Sequence, residues 1–201
     1  MGTDVTPFVM PALETLTAAV TKWRNGATSK KDKQAAYLLS EAQLAISCME
    51  AYCNECRRAY LAALAVPTSC SYLEVPAEIT QFVAARSIYP RIGEHIRYLD
   101  DIHGLKGTLD EARGIIVAAG QEMLSSVIHP VACEKEAWLV QVLASSGDTP
   151  NAVLRLLEFG ENLKDRLNPS QPLVANAQIA FAQLRSEILR SHPSLPQPTW
   201  Q

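Results

Sequence analysis

The 201-residue chain is 48% hydrophobic and only 19% charged, with a net charge of −3. An ordinary soluble domain carries roughly 25% charged residues, so this composition demands extensive burial, in a many-helix core, a subunit interface, or both. Charge is spread evenly, with ten basic and ten acidic side chains in residues 1–100 and eight and eleven in the remainder. No basic stripe is present to follow a phosphate backbone, and general nucleic-acid binding is not expected.

In chain order, the first expected helix runs from Pro11, suited to a first helical position, to a stop at Gly26, with Leu13, Leu16, Val20 and Trp23 on its apolar face. From Ala27 to Val66 there is no glycine or proline, and Ser29 with Asp32 forms a capping-box pattern that opens a helix over about 29–65. Along it Leu39, Ala42, Ile46, Met49, Cys53, Cys56, Tyr60 and Ala63 recur alternately three and four apart. That spacing keeps one face turned toward a partner helix. Such a helix would be about 55 Å long at its normal rise per residue, whereas a compact chain of this size is about 43 Å across. The helix is therefore expected to break near Cys53-Asn54 or to protrude, and a protruding seam is expected to meet a second copy of the chain. Replacing Ile46 and Met49 by glutamate is then expected to dissociate the oligomer.

Residues 76–103 read as one kinked helix or two short ones, because Pro90 interrupts the apolar period that continues through Ile92, Ile96, Leu99 and Ile102. Thr108 and Glu111 suggest a second capping box, and Pro130 is expected to open a new helix that Gly147 ends. Asp148-Thr149-Pro150 opens the next, in which Gly160 would permit close helix approach, and Pro172 begins the last. No segment alternates as a strand does. The expected fold is all-α, with seven to eight helices in a mostly antiparallel bundle. The expected layout is a single domain over 1–192 and a flexible Pro-rich tail over 193–201, in which Trp200 could anchor to a groove.

The longest uninterrupted apolar run, Ile115 to Ala119, is far too short to span a membrane. Gly2 falls in a loose myristoylation pattern, but Pro7 follows it closely and no basic residue stands nearby to support an anchor. Five cysteines, with no basic-then-apolar leader ahead of Lys22, read as reduced thiols of a soluble cytoplasmic protein.

Three groups of residues could carry chemistry. Cys48-x4-Cys53-x2-Cys56 has the spacing of iron–sulfur ligands and Cys70 could add a ligand, but an alanine-rich helix cannot wrap a cluster. Metal binding through Cys53, Cys56 and Cys70 is therefore a secondary reading, and no cofactor is expected. The densest polar group lies between Glu94 and His103, with Glu94, Arg97, Tyr98 and Asp101 on one helix face. Within it, Arg97-x5-His103 resembles the arginine–histidine motif of HEPN-type ribonucleases, which are all-α and dimeric. The resemblance implies metal-independent RNA cleavage, with Arg97 and His103 handling the scissile phosphate and the 2′-hydroxyl and Glu94 and Asp101 close by; Tyr98 departs from the polar residue that family favours. The lysines Lys30, Lys31 and Lys33 could serve a partner, although a solvated face is the simpler reading. With no complete catalytic set, the expected function is a non-enzymatic assembly, scaffold or adaptor protein. It would self-associate through Leu39, Ile46, Met49, Cys53, Cys56 and Tyr60, with Trp200 as a further contact.

Overall fold

The computed structural model describes residues 9–68, 73–84, 88–145 and 147–198. Among these residues the chain is all-α with no strand. The elements are α1 (Val9–Asn25), α2 (Lys30–Leu64), α3 (Ala77–Ala84), α4 (Ile88–Asp100), α5 (Thr108–Met123), a π-helical turn (Leu124–Ile128), α6 (His129–Ala144), α7 (Thr149–Leu167) and α8 (Ser170–Ser191). α5, the π turn and α6 form one continuous rod, and α7 continues into α8 through a bend at Asn168-Pro169. Counted as rods there are six helices among the described residues, fewer than the seven to eight expected.

Pro130 causes the main discrepancy. It has no N–H to donate, and its ring would crowd the carbonyl four residues back in a regular helix. One turn of wider hydrogen bonding precedes it: the His129 N–H reaches the Leu124 carbonyl, five residues back. The rod thus passes the proline without ending. The expected capping box at Thr108 does not form either. Gly107 occupies the cap at φ +58°, and no side chain bonds the free N–H groups there. Pro90 sits in the first turn of α4, where a missing N–H costs nothing, so two short helices replace the kinked one.

α2 is continuous through Cys53-Asn54, and Ser29 caps it by accepting the Asp32 N–H at 3.0 Å. Its 35 residues extend about 52 Å. The second copy expected against it is unnecessary, because the chain supplies its own partner. α7 and α8 run antiparallel along α2: Gly160 meets Ala63, Ser170 meets Cys53, Gln178 bonds Glu50, and His192 bonds Asp32. A Cβ on Gly160 would stand 3.1 Å from the Ala63 Cβ, so this close crossing depends on the glycine. α1, α3, α4 and α5 also pack on α2. Leu38, Leu44, Ala45, Cys48 and Ala51 are therefore buried as well as the seam, and α2 is the central rod of the core.

α5 pairs with α8 and α6 with α7, making a long hairpin. Asp148 caps α7 by accepting the Asn151 N–H, and Pro150 occupies its first turn. The buried apolar cluster runs from Leu13 in α1 to Leu195 beyond α8, with Ile116, Met123, Leu156, Phe159 and Leu163 near its middle. Each such side chain contributes about 1.5–3 kcal/mol when fully withdrawn from water. Through Pro198, the segment after α8 packs onto the fold: Leu195 is buried, and the Trp23 indole N–H donates to the Pro196 carbonyl at 2.9 Å. Trp200 lies outside the described residues.

The Thr108–Ala144 rod is also long and apolar enough, by length and composition alone, to cross a membrane, with a mean hydropathy of 1.3 over its most apolar window. The π turn joins two apolar stretches that Pro130 separates in the sequence. Core packing accounts for part of that character, since 44% of the window is buried inside the fold.

Candidate functional site

Seam residues lie inside the fold rather than on an outer surface. Leu39 and Met49 are fully enclosed, Ile46 and Cys56 nearly so, and Tyr60 is partly exposed beside Gly160. Their expected role as a contact between copies is corrected: the other helices of the same chain already bury all of them but Tyr60. The two cysteines follow the same logic. Cys53 Sγ lies 3.3 Å from Ser170 Oγ, and Ser170 donates to the Leu167 carbonyl at 2.6 Å, which stitches the α7–α8 bend to α2. Burial raises the pKa of both Cys53 and Cys56 and pushes Cys48 up to about 11. All three stay protonated at neutral pH, and a thiol is neither a good nucleophile nor a metal ligand. Among the described residues no group of three His, Cys, Asp or Glu side chains could hold a metal ion. Cys70 lies outside those residues.

The polar group between Glu94 and His103 separates into two parts. Tyr98 donates to Glu94 at 2.9 Å on an exposed face of α4, and the Arg97 guanidinium lies 5.4 Å from the centre of the Tyr98 ring. Asp101 and His103 fall beyond the end of α4 and line a different cleft, which Arg97 does not line. The Arg97–His103 pairing that the HEPN resemblance implies is therefore not assembled in that cleft.

His95, a member of the same polar group to which the sequence assigns no role, has the more ordered surroundings. Its Nδ1 lies 2.7 Å from Glu41 Oε2, and Arg24 donates to Glu41 Oε1 at 3.2 Å. Arg24 also lies 5.4 Å from the centre of the Tyr37 ring. Glu41 is buried on α2, where a lone carboxylate would be costly; two cationic or proton-donating partners remove that cost. The trio ties α1, α2 and α4 together. His95 also lines a cleft of about 740 Å³ together with Glu14, Thr17, Lys22, Arg91 and Glu94. The available sequence signal was Glu41 itself, an acid inside the apolar stretch from Leu38 to Ile46.

A larger cleft of about 930 Å³ lies where the start of α2, the 101–109 connection and the end of α8 converge. Lys30, Lys31, Lys33 and His103 line it together with apolar side chains that include Leu38, Leu105 and Ile188. The connection turns on Gly104 and Gly107, whose φ values of +83° and +58° are left-handed. Asp32 is next to the lysines in sequence, accepting from Ser194 at 2.9 Å and bonding His192, which also lines the cleft, at 3.0 Å.

The outer face of α6 presents an exposed apolar helix surface. Val140 is 62% exposed, Leu143 52%, and Leu154, near the same hairpin turn in α7, 55%. Cys133, Ala132, Ala137 and Ala144 are exposed on the same helix. Comparison with protein-family models, curated proteins and solved structures yields no match.

Proposed function

We propose that the protein is a non-enzymatic helical module acting through protein–protein contact, and that it self-associates along the outer face of α6. The observation supporting this reading is the exposure of Val140 and Leu143 on a helix that carries little charge. An outward face of a soluble helix is ordinarily polar. In α6, Lys135 is buried with its ammonium on the Phe82 carbonyl, Glu134 pairs with Arg166, and Glu136 is the remaining acid. Cys133, Ala137, Val140 and Ala144 recur at intervals of four, three and four residues. Their small side chains allow a second helix to approach closely, and a two-fold axis would set the same stripe on both sides. One helix length makes a small interface, so association is reversible, with a dissociation constant on the order of micromolar. In this reading the protein works in a reducing compartment such as the cytoplasm, where Cys133 remains a thiol.

Sedimentation equilibrium between about 1 and 200 µM, a range bracketing that affinity, tests the reading. The wild-type mass is expected to rise from the 22.0 kDa monomer toward a dimer, while Val140→Glu/Leu143→Glu stays monomeric with unchanged helical circular dichroism. A wild type that is monomeric throughout would overturn it. Binding to lipid vesicles without a change in mass would instead assign the α6 face to a membrane surface.

A further inference from the structure

We propose that the cleft at the start of α2 binds a small amphipathic organic anion, a phosphate or carboxylate head on an apolar body. Three observations converge on this chemistry and do not depend on the self-association reading. Lys30, Lys31 and Lys33 all line the cleft, and none has an ion-pair partner among the described residues. Their position works against the helix that carries them, because the positive end of the α2 dipole disfavours cations in the first turn. A bound anion relieves the repulsion among the lysines and complements the dipole together. Asp32, the acid in the same turn, bonds Ser194 and His192, the second of which also lines the cleft, and forms no ion pair with the three lysines among the described residues.

The remaining walls select against a bare ion. Leu38, Ile102, Leu105, Leu109 and Ile188 line the cleft along with the lysines and give it an apolar wall. A volume of about 930 Å³ is far larger than an inorganic phosphate and is at the upper end of small-molecule sites. Asp101 also lines it, so a dense polyanion filling the cleft would meet a like charge as well as the lysines. A nucleic-acid strand is excluded by the same reasoning and by the chain's net charge of −3.

The probe is 1-anilinonaphthalene-8-sulfonate, an apolar fluorophore with one fixed negative charge. It is expected to bind the full-length wild type at one saturable site. Octyl phosphate or octanoate should displace it at least about tenfold more effectively than octanol or inorganic phosphate. Displacement by octyl phosphate alone identifies a phosphate head, and by both amphiphiles any single anion. Lys30→Glu/Lys31→Glu/Lys33→Glu should weaken the probe by about tenfold or more, and Leu105→Asp should do so through the apolar wall. Val140→Glu/Leu143→Glu should leave it unchanged, which separates this site from the α6 face. Unchanged probe binding in the lysine variant would overturn the proposal. So would displacement by octanol or inorganic phosphate as effective as that by octyl phosphate.

Discussion

Asp32 shows how single side chains close this fold. It lies in the first turn of α2, yet two of its bonds reach past the end of α8, to His192 and Ser194. Ser29 and Ser194 hydrogen-bond the carboxylate, His192 adds a further bond, and together they hold its pKa below the ordinary 3.8. A group whose pKa is lowered by folding stabilises the fold above its unfolded value, and that contribution disappears as pH falls through the folded value. Asp32→Asn is therefore expected to lower the melting temperature at pH 7. The gap from wild type should shrink as the pH is taken below about 4, where the unfolded state binds the proton, and close below the folded value, where both states do. Thermal melts of the two proteins at pH 7 and pH 3 check this, and a gap that persists undiminished at pH 3 would contradict it. The partners of Asp32 and of Glu41 were not legible in the sequence. They lie 160 positions away for His192 and 54 for His95, and only folding brings them together.

At the scale of elements, the period of α2 was legible and its meaning was not. The alternation from Leu39 to Ala63 correctly marks a helix that packs against another. A heptad cannot say whether the partner belongs to the same chain, because antiparallel neighbours in a bundle impose the same spacing as a second subunit. Other faces of α2, such as Leu38, Cys48 and Ala51, are buried too, which a seam between copies would leave open. Pro130 was misread for a related reason: proline forbids one hydrogen bond but does not forbid the rod, and a single π turn accommodates it. The consequence for α2 is specific. Ile46→Glu/Met49→Glu places two carboxylates in the core, at a cost of several kcal/mol each, comparable to the whole stability of a domain. That variant is expected to lose its cooperative thermal transition and much of its helical circular dichroism. A folded variant with only a reduced mass would return the seam to the surface between copies.

For the whole molecule, the architecture is a set of long rods rather than a sphere. α2, the α5–α6 rod and the bent α7–α8 rod lie side by side, with α1, α3 and α4 packed along α2. This arrangement resolves the mismatch between a helix of about 52 Å and the expected width of a compact globule. It also redistributes the apolar excess read from composition: most is consumed by the core along α2, and the part left outside includes Val140 and Leu143 on α6 and Leu154 beside it, along with Leu61, Leu64, Ile115 and Ile179 on other helices. The central claim is that α2 is internal and α6 is the associating surface. Hydrogen exchange read by mass spectrometry, at protein concentrations about tenfold below and tenfold above the dissociation constant, tests it most directly. The account predicts that amides of Ala132–Ala144 gain protection on concentration, while those of Leu39–Tyr60 are equally protected at both. Concentration-dependent protection in Leu39–Tyr60, with none in Ala132–Ala144, would contradict it.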